Sequence, residues 1–283
     1  MDLIKAFQKD DELLEDIRRS VGDESQFNLW WLGQSGFLLK YQDTFVLLDP
    51  YLSDSLTTKY ADTDKPHIRM SELVIDPARL DFIDVVTTSH NHTDHLDGDT
   101  LKPLIKSNPG ITMIGPEANR SFIADRIGEE QGFLTGLSQG ERTVVSGIEF
   151  NGIPAAHNDI DKDENGNCKF MGYVLRFGPW TLYHSGDTLW HVDILNALSV
   201  FKIDIAILPI NGNKPERRVA GNLDYIEAVQ LGKLLRIDTI IPCHYDMFTF
   251  NTEDVSNFKN TAITKGQGHA IFDHGEGKQF SKN

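Results

Sequence analysis

The segment His90-Asn91-His92-Thr93-Asp94-His95 directly follows Phe82-Ile83-Asp84-Val85-Val86-Thr87-Thr88, a run that reads as a buried strand. Four ligating side chains in six residues are more than a surface loop needs. Protonated imidazoles this close repel one another, so the crowding makes sense when the rings are neutral and their nitrogens converge on a cation. The fold must therefore open a strand end onto a polar edge able to hold metal.

The other informative histidine and aspartate positions also sit at strand ends. His157 closes Ile153-Pro154-Ala155-Ala156, Asp187 follows Tyr183-His184-Ser185-Gly186, and His244 follows Ile240-Ile241-Pro242-Cys243. Separate strand ends that converge on one edge give the rigid support a metal site needs.

Periodicity supplies the frame. Leu3, Phe7, Leu13, Leu14 and Ile17 share a helical face, which predicts an amphipathic helix over residues 2–19. Residues 27–31, 36–40 and 44–48 form a β-meander ended by Asp49-Pro50, and 53–65 reads as a loop near the site. Helices are expected over 117–127 and 223–236. Further strands are expected at 142–145, 148–150, 171–177, 180–183, 205–208 and 239–241, and 159–167 reads as a loop. Two mixed sheets covered by helices accommodate this order, an α+β class.

No Pro- or Ser-rich linker divides the 283 residues, which read as one domain, and no apolar run is long enough to span a membrane. The start of the chain runs into Asp10-Asp11-Glu12 without a secretory apolar core, so a cytoplasmic protein is expected. Cys168 and Cys243 read as free structural thiols. A formal charge of −15 disfavours nucleic acid as a partner. It leaves a small, anionic substrate open, because ligating carboxylates are neutralised by the cations they bind. Self-association is left open as well.

The order His90-x-His92-x-Asp94-His95, His157, Gly186-Asp187-Thr188, His244 resembles the metallo-β-lactamase-fold hydrolase superfamily across most of the chain. Trp30-Trp31-Leu32-Gly33-Gln34-Ser35-Gly36, Tyr183-His184-Ser185-Gly186-Asp187 and Ile241-Pro242-Cys243-His244-Tyr245-Asp246 resemble its L-ascorbate-6-phosphate lactonase branch. The resemblance implies a four-layer αββα sandwich. It also implies two divalent metal ions, with His90, His92 and His157 on one, Asp94, His95 and His244 on the other, and Asp187 bridging. Imidazole and carboxylate ligands suit zinc, manganese or iron, and the branch resembled is associated with manganese.

Asp94 is then the candidate for orienting water and moving protons, while Asp49 resembles an aspartate that supports the histidine loop through hydrogen bonds. Asn211, Arg217 and Arg218 are candidates for meeting an anionic group, against the alternative that the arginines form a solvated loop pair. His67, His191, His269 and His274 receive no role, and Trp30-Trp31 is assigned to the core. The implied activity is metal-dependent hydrolysis of a small substrate, a sugar-derived lactone first. A phosphodiester is the second choice, and a non-catalytic metal-binding regulatory module is the reading from another class.

Overall fold

The computed structural model describes residues 2–282. Six strands follow in order: β1 (Gln26–Gly33), β2 (Gly36–Tyr41), β3 (Thr44–Leu48), β4 (Val85–Thr87), β5 (Thr112–Pro116) and β6 (Leu134–Leu137). A second set comprises β7 (Arg142–Val145), β8 (Ile148–Pro154), β9 (Met171–Phe177), β10 (Trp180–His184), β11 (Ile205–Pro209) and β12 (Thr239–Cys243). β13 (Gly277–Ser281) then returns to the first. The sheets are ordered β13-β1-β2-β3-β4-β5-β6 and β12-β11-β10-β9-β8-β7.

Alternation along the strands sorts side chains into two cores, because successive residues point to opposite faces. Leu29, Trp31, Phe37, Leu39, Val46 and Leu48 face the second sheet, where they meet Phe150, Tyr173, Leu175 and Leu182. Their neighbours Trp30, Leu32, Leu38 and Leu47 face outward into a separate core with α1 (Asp10–Arg19), α3 (Gly98–Ser107) and α4 (Arg120–Ile127). α2 (Ser55–Lys59) is a single turn and half. On the far side, α5 (Val192–Leu198) packs on β8, α6 (Tyr225–Leu235) on β11 and β12, and α7 (Val255–Lys265) on α6. The result is the expected layering of helices, sheet, sheet and helices. No helix among the described residues is long and apolar enough to cross a membrane.

Turn chemistry fixes the hairpins. Gln42-Asp43 joins β2 to β3, and Ser146-Gly147, both at positive φ, joins β7 to β8. The helix expected over 2–19 begins only at Asp10. Leu3, Ile4 and Phe7 stay exposed, and Ile4 bridges to Ser71 as extended chain. The acidic run Asp10-Asp11-Glu12 marks the true start, where carboxylates meet the positive end of the helix dipole. The loop expected over 53–65 likewise contains α2.

β3, β4, β5 and β6 run parallel, as do β10, β11 and β12, and β8 shares the direction of β10 through antiparallel β9. The carboxyl ends of β3, β4, β8, β10 and β12 lead directly into the segments bearing Asp49, His90–His95, His157, Asp187 and His244.

Trp31 anchors this edge from the core, its ring centroid 4.3 Å from Tyr245 and 4.2 Å from His274. Burial pushes the His274 ring down to about 3, helped by Arg69. The folded chain therefore refuses a proton that the unfolded chain accepts below its ordinary pKa of about 6.5. Between that pH and about 3, each unit of acidification should cost about 1.4 kcal/mol through this residue. Denaturant titrations at several pH values should show wild type losing that much more per unit than His274→Leu; parallel profiles would refute the assignment.

Candidate metal centre

Asp49 is fully buried at the end of β3, its backbone in the left-handed region at φ 40°. Its carboxylate accepts hydrogen bonds from Thr87 (3.2 Å), Ser89 and the His95 Nδ1 (2.8 Å), all on or just after neighbouring β4. That bond fixes His95 with Nε2 pointing inward, 3.2 Å from Asp187 Oδ1. His244 Nε2 reaches the same Asp187 oxygen at 2.7 Å, and His157 Nε2 lies 3.6 Å from Oδ2.

Gly186 makes this approach feasible. Its φ is 57°, and an added Cβ would lie 2.5 Å from the Ser89 Cβ, so the loops after β4 and β10 touch backbone to side chain.

Two groups of ligating atoms result, each able to hold a metal ion: His90, His92, His157 and Asp187 in one, Asp94, His95 and His244 in the other. The seven ligand candidates read from the sequence thus lie together. The far nitrogens of four rings have protein neighbours. His90 Nδ1 lies 3.0 Å from Ser89 Oγ, His95 Nδ1 bonds Asp49, His157 Nδ1 donates to the Gly221 carbonyl (2.8 Å), and His244 Nδ1 lies 3.1 Å from the Gln34 amide. Metal-binding histidines are held as His95 and His157 are here, with Nδ1 donating to an oxygen and Nε2 free to ligate. His90 Nε2 is buried without any protein partner, an orphan that a cation would satisfy. The residues present fit a metal.

Electrostatics agree. Burial, then the neighbouring histidines, press the His90 ring well below its usual range. Burial alone would also depress His95, but Asp187, Asp94 and Asp49 hold it well above. Burial would raise Asp187, yet His244 and His95 keep it well below the carboxylate range. A protonated ring amid three carboxylates occupies the role a metal ion takes when it binds and displaces that proton.

Gln34, quoted in the tryptophan-glycine motif without a role of its own, donates to Asp94 Oδ2 at 2.8 Å. It is fully buried at φ 52°, and its carbonyl accepts from the Trp31 indole (3.0 Å). The core tryptophan thereby holds a turn that holds a ligand. Only the side-chain type at position 34 signalled this.

The three proposed anion contacts do not line the cavity at the centre. Arg217 donates to the Asn211 and Thr252 carbonyls and to Asn251 Oδ1, so its guanidinium ties loops together. Arg218 pairs with Asp64 at 2.7 Å, and Asn211 is buried among Asn222 and Asn251. His67, given no role above, does line the cavity, with Lys59, Lys65 and Arg126. Arg126 also buttresses the histidine loop through the Asn91 and Leu96 carbonyls (3.2 Å each).

Comparison with known proteins identifies the family and the fold. The family model described as a beta-lactamase superfamily domain matches residues 28–244. The chain is 26% identical over 246 residues to a UPF0173 metal-dependent hydrolase of Methanosarcina mazei, covering 85% of this chain and 93% of that protein. Among solved structures it is similar to a metallo hydrolase of the archaeon Ignicoccus hospitalis, at 21% identity and TM-score 0.67 over 91% of this chain and all of that one. It is also similar to an isothiocyanate hydrolase from Delia radicum gut bacteria, at 21% identity and TM-score 0.72, covering 90% of this chain and 100% of that chain.

Replacing a partner that orients a ligand typically costs about 10–100-fold in metal affinity. Asp49→Asn, which strips the charge from His95's support, should show a loss of that size in competition with a chromophoric chelator. Gln34→Ala should weaken the Asp94–His244 group selectively, lowering metal content on elemental analysis while the other group stays filled. Unchanged binding in both variants would overturn the supporting roles.

Proposed function

Taking as premise that this chain belongs to the beta-lactamase superfamily domain family, we propose that it is a metal-dependent hydrolase that attacks a small substrate with activated water at a dinuclear centre. The observation that carries this reading is the pair of ligand groups sharing Asp187 between them at one cavity floor. Zinc or manganese suits the mixed imidazole and carboxylate set, with iron as the third choice. Bound there, divalent cations supply the Lewis acidity that makes water nucleophilic near neutral pH and polarises a scissile carbonyl.

The chain's own residues do the rest. Gln34 engages Asp94 Oδ2, leaving Oδ1 without a protein donor among the described residues and free to accept the proton of an incoming water. Asp49 and the Gly221 carbonyl keep the His95 and His157 rings from turning as charge moves. The cavity, about 540 Å³, is large enough for a small molecule and little more.

Our preferred substrate is a small lactone, phosphorylated or otherwise anionic, acted on in the cytoplasm. The resemblance of the Trp30–Gly36 motif to the lactonase branch supports this choice. A panel of lactones and phosphodiesters offered to the metal-loaded protein tests it. Lactone turnover is expected, with loss on chelation and a drop of about 10²–10⁴-fold in Asp94→Asn. Phosphodiester turnover alone would move the substrate assignment, and equal rates for Asp94→Asn and wild type would remove Asp94 from the chemistry.

A further inference from the structure

One wall of the cavity is neither metal ligand nor core. α2 and the segment after it contribute Leu56, Lys59, Tyr60, Lys65 and His67, and the stretch after β12 contributes Phe248 and Phe250. The rings form one aromatic cluster, with the Lys59 ammonium 5.2 Å over the Tyr60 ring. His67 stacks on Tyr60 at 4.3 Å and meets Phe250 edge-on at 4.5 Å and Phe248 at 5.3 Å. The His67 Nδ1 is engaged by the Lys65 carbonyl at 2.9 Å, which fixes the ring plane as part of the wall.

Two cations edge this surface. Two carboxylates of the same segment pair with arginines, Asp64 with Arg218 (2.7 Å) and Asp54 with Arg69 (2.5 Å). Among the described residues neither Lys59 nor Lys65 has a carboxylate partner, although Lys65 also reaches the Arg218 carbonyl. Among the described residues the carboxylates lining the cavity are Asp94 and Asp187, both at the metal centre. Asp94, Lys59 and Lys65 all act electrostatically on the His67 ring, which lines the same cavity. In a chain of formal charge −15, two lysines without an ion-pair partner among the described residues line one cavity.

We propose that this wall is the recognition subsite of the hydrolase. It takes substrates that carry a flat apolar group, laid against Tyr60, His67 and Phe250, and an anionic group held at the mouth by Lys59 and Lys65. The assignment rests on the hydrolase reading for the word substrate, but not for the binding itself. Aromatic faces favour planar, weakly hydrated groups, and ammonium groups at a half-enclosed mouth favour a carboxylate, sulfonate or phosphate. Such a molecule spans from the lysines to Asp94 and Asp187, which sets its hydrolysable bond at the end away from its charge.

The test uses the metal-loaded protein and probes that ligate metals poorly. Calorimetric titration with 1-naphthalenesulfonate, 1-naphthol and methanesulfonate separates ring from charge. We expect the naphthalenesulfonate to bind at least about tenfold more tightly than either partial probe, and to weaken as salt screens the lysines. The Lys59→Gln/Lys65→Gln double variant should lose about tenfold for naphthalenesulfonate and nothing for naphthol. Phe250→Ala should weaken both aromatic probes, and Phe250→Leu, which keeps the wall filled, should weaken them less. Elemental analysis should give unchanged metal content throughout.

Equal binding of methanesulfonate and naphthalenesulfonate, or indifference to the lysine pair, overturns the subsite. Naphthalenesulfonate binding that depends on the lysines, without turnover of any panel substrate, refutes the hydrolase reading and leaves the subsite standing. Turnover whose KM ignores the lysine and Phe250 variants does the reverse.

Discussion

The bond from His95 to Asp49 is the constraint on which the centre depends. A carboxylate with no solvent exposure is costly unless donors surround it, and here the donors come from the adjacent strand and the histidine loop. The same contact joins β3 to the end of β4 and turns a ligand toward Asp187. One desolvated charge thereby couples sheet pairing to ligand geometry, so the centre cannot relax without disturbing the frame that carries it.

Around that bond the two sheets divide the work. The first supplies Asp49, Gln34 and the cluster from His90 to His95; the second supplies His157, Asp187 and His244. The inter-sheet core that includes Trp31, Phe37, Tyr173 and Leu175 holds the two halves in register. Interiors packed this densely transmit displacement instead of absorbing it, so positions far below the site set distances within it. The apolar wall above the site follows another rule. It is built by loops, and its chemistry varies with their residues while the floor stays fixed.

Much of the floor was legible in the sequence because its signals are local. Four ligating residues within one turn after an apolar strand need no tertiary information, and the later ligands announced themselves as polar residues at strand ends. The wall was not legible. Phe250 is distant in sequence from Lys59 and His67, each alone reads as ordinary surface or packing, and their meeting depends on loop conformation. The Gly221 carbonyl that orients His157 leaves no side-chain trace at all. Arg217 misled because a cation in a loop carries no mark of whether its partners are substrate oxygens or backbone carbonyls. The first helix was read too long because Leu3 and Phe7 continue its spacing, although nothing lies above them to cover that face. α3 went unread, and it carries an internal Pro103 that interrupts the helical pattern. β13 went unread because pairing with β1 from the other end of the chain has no local signature.

Asp49, Gln34 and His244 share one property besides their place at the centre: each is a non-glycine residue with positive φ, at 40°, 52° and 62°. An L-residue there costs roughly 1–2 kcal/mol that glycine would not incur. At these positions, substitutions that relax the backbone would remove the side chain the centre uses. Consensus or directed stabilisation of this protein, left to choose freely, would therefore erode the metal site before it improved the core. A search for hardier variants would have to hold these three positions fixed and take its gains from the outer helices.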